Sequence, residues 1–520
     1  MSDSRQPLLA EAALRRAYGT TNEGVTETAS TVSDDMDVGD EFDSAIADSP
    51  SRVTLFFSLV RDSIPVILSY VLQNSLQTIS VLIVGRLGPE ELSAAAFSLM
   101  LAFVTGECWC VALGGTTALD TLGSQAFTGG ARRSDLSVHL QRCVVLLWLL
   151  FVPVAVLWFW IEPVLLALGQ PVAICRDTQR FLRVLIVGGP GYIAFESVKK
   201  YLQCQGRIMS LSTIVLVIMC PVNIALNIAF VHHTSLGLLG SAVALCATYW
   251  LCFLLLCIFT YFSPTHAKNG TWGGLQPSLV FEARSCAIFL RLALPGILMV
   301  GTEWAAFEIV ALAAGRLGEI PLAAQSVIMT TDQVLNTLPF GIGVAASARV
   351  GNLIGARSAS GAKHAAHASA LLSVIVGVVV MVTMIAAKDV FGYLFSDDEA
   401  VVKLVSKVMP LVASFQVADG LAGSCGGVLR GQGCQHLGAV FNLVAYYVLA
   451  LPMGVSLAFK TSLGLQGLWI GQVVALFIVG IGEYLTVWLW TDWDKEVREG
   501  IERNEAEAKA RAAAMEADEM

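Results

Sequence analysis

The sequence predicts an all-α polytopic membrane protein, with twelve transmembrane helices arranged as two parallel six-helix repeats. Three observations carry that prediction. Of 520 residues, 55% are hydrophobic and only 14% charged, with a mean hydropathy of +0.69, which no ordinary soluble domain combines. The apolar residues gather into segments close to the ~20 residues a helix needs to cross a bilayer. Short signatures in the first half return in the second at an almost fixed offset.

In chain order, residues 1–50 hold 11 acidic and 3 basic side chains among Ser and Thr, with few aromatics. Such a stretch cannot bury enough apolar surface to fold alone, and it lacks the charged-then-apolar pattern of a secretory signal, so it reads as a disordered acidic cytosolic tail. Gln6-Pro7-Leu8-Leu9 fits a dileucine sorting signal or a chance apolar pair. Apolar segments then recur at 56–84, 92–122, 140–168, 181–203, 210–231 and 236–262, forming an N-terminal six-helix lobe over 51–262. A polar linker, 263–285, follows. The second series, at 289–315, 321–348, 365–388, 402–427, 437–459 and 464–490, forms a C-terminal lobe over 286–490. Residues 491–520 are a charged tail of Glu/Lys/Ala composition, with 10 acidic and 5 basic side chains. Neither tail holds an intramembrane carboxylate, so both are expected to serve abundance or sorting and not turnover.

The formal charge of −9 belongs to these tails, because residues 51–490 hold 20 acidic and 24 basic groups. Duplication rests on several landmarks. Gly85-Arg86-Leu87-Gly88 returns as Gly315-Arg316-Leu317-Gly318, 230 positions on, and His139 returns as His367 at 228. Leu202-Gln203-Cys204-Gln205-Gly206 matches Leu429-Arg430-Gly431-Gln432-Gly433 at 227, as does Leu236-Gly237-Leu238-Leu239-Gly240 with Leu463-Gly464-Leu465-Gln466-Gly467. An even number of spans per unit gives both copies the same orientation, the parallel repeat of transporters that bind between two lobes. Thirteen basic residues in loops on the side shared with the termini, against nine opposite, place both termini and the linker in the cytosol. Asn269-Gly270-Thr271 has a glycosylation pattern but lies in that linker, and is expected to be unmodified.

The chemistry these residues exclude is as informative. No Gly-Lys dipeptide occurs, hence no phosphate cradle of an ATP-driven pump. No His-Glu-x-x-His or Cys-x-x-Cys occurs, and the twelve cysteines lie scattered in apolar runs, where they act as small hydrophobes. No metal site, cofactor or enzyme chemistry is expected. Glu303, Glu308 and Asp419 lie inside apolar spans of the second half, where an acidic side chain is costly and faces a protein interior or a water-filled cavity. Glu303 and Glu308 are five residues apart, about 140° around a helix, so they do not share a face. Asp419 precedes Gly423, Gly426 and Gly427, small residues that let helices approach or bend. Glu303 and Asp419 are read as ion-pathway residues. Glu308 is open between pathway and packing, while Glu107, Asp120 and Glu196 in the first half are read as structural.

Further motifs are Gln77 upstream of Val84-Gly85-Arg86-Leu87-Gly88, Glu303-Trp304, Ala323-Ala324-Gln325-Ser326, Ala346-Ser347-Ala348-Arg349-Val350-Gly351-Asn352, and Asp419 before Gly426-Gly427-Val428-Leu429-Arg430-Gly431. In these the chain resembles eukaryotic multidrug and toxic compound extrusion (MATE) transporters over 51–490. The resemblance implies a V-shaped pair of six-helix lobes and cation-driven antiport. It matches Glu303 and Asp419 to carboxylates of the C-terminal-lobe site, and Glu308 to a further acidic position. By family position Gln77, Trp304, Asn442 and Tyr446 line the substrate cavity, with ordinary helix packing the competing reading. The first span has no acidic residue over 64–84, so coupling is expected in the second half.

The expectation is a secondary active antiporter exporting organic, cationic compounds or metabolites in exchange for protons, with sodium as the alternative coupling ion. Its partners would be small organic substrates and the bilayer of a plasma or vacuolar membrane, with no nucleic acid, and it reads as a monomer. The rivals are a lipid-linked precursor flippase of the same superfamily, which needs a strongly basic central cavity, and a membrane receptor or scaffold.

Overall fold

The computed structural model describes residues 52–105, 109–167, 170–206, 210–395 and 397–519. The dileucine pair, the rest of the 1–50 tail and Glu107 lie outside these residues. The first half contains α1 (Arg52–Val84), α2 (Pro89–Thr105), a π-helical stretch Trp109–Gly114, α3 (Gly115–Gly129), α4 (Asp135–Phe159), α5 (Ile161–Ala167), α6 (Val172–Leu185), α7 (Gly189–Gln203), α8 (Ser210–His232) and α9 (Leu238–Phe262). Two short helices, α10 (Pro264–Asn269) and α11 (Pro277–Val280), lead into the second half. There follow α12 (Ala283–Leu317), α13 (Glu319–Leu335), α14 (Thr337–Gly355), α15 (Ala359–Phe391), α16 (Glu399–Gln432), α17 (Gln435–Asn442), a π-helical stretch Leu443–Ala450, α18 (Leu451–Lys460), α19 (Leu465–Leu485) and a closing helix α20 (Trp493–Glu519).

Among the described residues nine helices are long and apolar enough to cross a membrane, and α6 with α7 makes a tenth span bent by 54°. The remaining two of the twelve expected spans, 92–122 and 321–348, are each built from two helices: α2 with α3, and α13 with α14. They occupy the same place in the two repeats. At the second break the chain turns at Asn336, whose side chain serves the site described below.

Backbone geometry repeats with the sequence. Gly206 and Gly433, 227 positions apart, have φ of 71° and 92°. Gly237 and Gly464, at the same offset, both have φ of 52°, with ψ of −122° and −126°. These are conformations in which a Cβ is strained, so glycine is held in both copies by the turn that each repeat needs.

Among the described residues the contacts between the halves gather toward one end. Along α12, Phe289, Leu292, Ala293, Val300 and Trp304 belong to a core shared with the first half, whereas Ala306, Phe307, Val310 and Ala314 belong to the core of the second half. Contact between halves therefore gathers at the end that carries residue 52, the 263–282 connection and residue 493, here called the terminal end. Thr121 Oγ1 donates to the carbonyl of Arg430 at 2.5 Å, Gln125 Nε2 to that of Gly431 at 2.9 Å, and Thr128 Oγ1 to that of Asn352 at 2.7 Å. Asn352 Nδ2 donates to the carbonyl of Cys204 at 3.1 Å. Both copies of the repeated 202–206 and 429–433 motif thus lie in this seal, each offering backbone carbonyls to the other half.

Two segments read from composition as linker and tail are packed instead. Thr271 is fully buried and bonded to Gln205 and Tyr201, and Asn269 is 8% exposed with its amide on Gln205. Helix α20 lies across the seal. Asn504 Nδ2 donates to the Gln125 carbonyl of the first half at 3.2 Å, and Arg503 donates to the Gln432 carbonyl of the second at 3.1 Å. Trp493 and Val497 join a core with Leu59, Ile354 and Val428. The Glu/Lys/Ala composition predicts the helix; its docking comes from Trp493, Val497 and the polar residues on the same side.

Candidate functional site

The residues around Glu303 and Asp419 are assembled by close helix packing. Gly343 of α14 and Gly427 of α16 face each other so closely that a Cβ on Gly427 would overlap the carbonyl of Gly343. That approach brings Asn336, at the head of α14, onto Asp419: its Nδ2 lies 3.2 and 3.1 Å from the two carboxylate oxygens. Across from them, Asn442 Nδ2 donates to the backbone carbonyl of Met299 at 2.7 Å, fixing α17 against α12 one turn before Glu303. The result is a cavity of about 40 Å³ lined by Glu303, Trp304, Asn336, Asp419, Asn442, Arg430 and Glu483, among others. That volume suits a proton, a small ion or a water or two, and excludes an organic compound.

Of the residues picked from sequence, Glu303, Trp304, Asp419 and Asn442 share this cavity. Tyr446 is fully buried beside it, where Phe307 packs against Tyr446, Phe415 and Trp469. Trp304 stands edge-on to Phe103 of the first half with ring centroids 5.1 Å apart, so it sits where the seal ends. Glu308 is half-buried on another face of α12 and does not line the cavity, as the 140° separation requires. Gln77 lies elsewhere, in the first half, with its amide on the Tyr249 hydroxyl at 3.1 Å.

Sequence reasoning counted three carboxylates within the second-half spans and overlooked two. Asp332 of α13 is 3% exposed and accepts from Gln416 Nε2 at 3.1 Å. Glu483 of α19 is fully buried. Both stand inside apolar segments, so the rule that found Glu303 would have found them. Arg430 reads from sequence as a motif residue and as one of the thirteen basic loop residues, but it is buried within α16, lines the cavity and reaches Asp120 of α3, Nε to Oδ2 at 3.5 Å. Asp120 is held in addition by Lys200, 3.0 and 3.1 Å from its two oxygens, and Glu196 pairs with Lys199 at 2.7 Å. Among the described residues no group of three or more His, Cys, Asp or Glu is arranged to hold a metal ion.

A family model described as MatE matches residues 65–229 and 295–456, one stretch in each half. The chain belongs to the MatE family of multidrug and toxin extrusion transporters. It is 38% identical over 439 residues to an uncharacterized transporter of Schizosaccharomyces pombe, covering 84% of this chain and 79% of that one. Against multidrug and toxin extrusion protein 1 of Homo sapiens the identity is 36% over 397 residues, 76% of this chain and 68% of the human protein. In structure it is similar to the eukaryotic MATE transporter AtDTX14, with a TM-score of 0.81 at 30% identity, covering 88% of this chain and all of that one. The two matched stretches begin 230 residues apart, the offset of the Gly-Arg-Leu-Gly repeat. As a MATE transporter the chain is an integral membrane protein that handles small molecules and is not an enzyme, with twelve helices in two lobes.

Proposed function

We propose that this MATE transporter is a secondary active antiporter that exports organic, cationic compounds in exchange for protons. It would act as a monomer in a plasma or vacuolar membrane, with both termini in the cytosol. The observation that carries this is the convergence of Glu303 and Asp419 on one small cavity whose nearest donors to Asp419 are the amide hydrogens of Asn336. Burial without a full ionic partner favours the protonated carboxyl, and a nearby cation favours the ionised one. Proton and organic cation therefore compete, and a conformational change that alters which face the cavity meets turns competition into exchange. Because the cavity is too small for an organic compound, the substrate binds between the halves beyond Trp304, where the seal ends, and acts on the carboxylates by charge.

The flippase reading requires a basic cavity. Among the described residues that line the cavity Arg430 is the one cation, set with Glu303, Asp419 and Glu483, while Lys199 and Lys200 stand on Glu196 and Asp120, which leaves no cluster of positive charge of the kind an anionic headgroup would need. The test is efflux of a fluorescent organic cation from proteoliposomes driven by an imposed pH gradient, with a sodium gradient as the comparison. Glu303→Gln and Asp419→Asn keep size and remove the exchangeable proton, so each is expected to abolish gradient-driven efflux while the protein still folds. Glu308→Gln is expected to reduce it less. Wild-type efflux in both of the first two variants would refute the assignment.

A further inference from the structure

Glu483 is 0% exposed, and neither of its carboxylate oxygens has a hydrogen-bond partner among the described residues. It lines the same cavity as Glu303 and Asp419 but comes from a different helix, α19. Space for it is made by two glycines: a Cβ at Gly438 would stand 3.1 Å from Oε1, and one at Gly426 would stand 3.3 Å from Oε2. Packing alone would fill such a site with an apolar side chain, since a buried polar group without a partner costs about 1–3 kcal/mol. Facing Glu483 are Arg430, Asp419 and Cys425 of α16, Glu303 of α12, and Tyr446 of the π-helical stretch.

Of these only Arg430 is a cation, and it too is incompletely used. Its Nη2 is buried without a partner among the described residues, and its Nη1 lies 3.7 Å from the same Gly426 Cβ position that stands 3.3 Å from Glu483 Oε2. A guanidinium never deprotonates in a protein. An ionised Glu483 this close would draw it into a bidentate pair, the strongest arrangement open to either group. Here the guanidinium points at Asp120 of the other half instead. The geometry is that of a neutral, protonated Glu483.

We propose that Glu483 is a third proton-exchanging carboxylate of the transport site, with Arg430 as the cation that answers its ionisation. This rests on the proton-antiport reading above. In the sealed state the carboxyl keeps its proton and Arg430 bridges to Asp120. When Glu483 gives its proton to water on the terminal side, Arg430 turns to the carboxylate. Asp120 is then left to Lys200, which already holds both its oxygens. The seal between halves thereby loses one ion pair, so proton loss and opening at the terminal end favour each other. Exchange of a proton thus changes a contact between lobes, which neither Glu303 nor Asp419 touches directly.

The experiment uses the full-length protein in detergent at weak buffering and measures protons released per ethidium bound, the probe organic cation. Wild type is expected to release protons, and Glu483→Gln to release about one fewer per ethidium with its melting temperature kept. A wild type that releases protons and a Glu483→Gln variant that releases as many overturns the role of Glu483 alone. A wild type that releases none overturns the antiport reading and this proposal together. Should the Gln variant not fold, Glu483→Asp keeps a titratable group but sets it farther from Arg430. Its release is expected to keep the wild-type count and to move to higher pH, and an unmoved pH profile overturns the pairing with Arg430.

Discussion

Helix α20 ties the two halves together through Arg142, and breaking that tie has a calculable cost. Arg142 of α4 is 1% exposed, and its Nη2 donates to Glu507 Oε1 at 2.8 Å and to the carbonyl of Leu279 at 2.7 Å. The other oxygen of Glu507 accepts from Ser285 of the second half at 2.8 Å. In Glu507→Gln the guanidinium keeps its backbone carbonyls and loses its only carboxylate among the described residues. A hydrogen bond to a charged group is worth about 1.5–3 kcal/mol, and that is the expected coupling between the two side chains. The assay is a double-mutant cycle of Glu507→Gln and Arg142→Gln, read by denaturant unfolding in micelles. Coupling below about 0.5 kcal/mol would mean that α20 rests on the body without the ion pair holding it. The pH dependence has a definite sign. Burial raises the pKa of Glu507, but the charges of His139 and Arg142 and the bond from Ser285 outweigh it and hold the carboxyl below its ordinary range. A carboxyl whose folded pKa is depressed stabilises the fold above the ordinary value, about 4.3, and loses that contribution as pH falls through the lower folded value. The coupling should therefore be present at neutral pH and decline as pH falls below about 4.

Two further outcomes follow from packing. Gly427→Ala would press a methyl group into the Gly343 carbonyl, and overpacking of this kind costs about 1–3 kcal/mol, so a lower melting temperature with Asn336 displaced from Asp419 is expected; an unchanged midpoint would show that α14 and α16 can part without cost. Asn269 should carry no glycan in expressed protein by mass spectrometry, whichever side of the membrane it occupies, because its side chain is buried on Gln205; a glycosylated, folded protein would mean that 264–280 does not pack as described.

The class, the twelve spans and their duplication were legible in the one-dimensional sequence, and so were two of the carboxylates proposed here to exchange protons. Length, apolar content and a repeat at constant offset are one-dimensional properties, and the cost of an acid in hydrocarbon marks Glu303, Glu308 and Asp419, as it would Asp332 and Glu483, without any knowledge of neighbours. The rotation of each helix and the choice of packing partner were decided only by the tertiary structure, because spans that are apolar on nearly every side carry little record of which face meets which helix. Hence Glu483, 64 residues beyond Asp419, joins Asp419 in one cavity, Gln77 lies apart from it, and Arg430 faces both that cavity and Asp120 of the other half. The docking of α20 was likewise invisible, since a charged helix reads as solvated until its few apolar residues, Trp493 and Val497, find a core to enter.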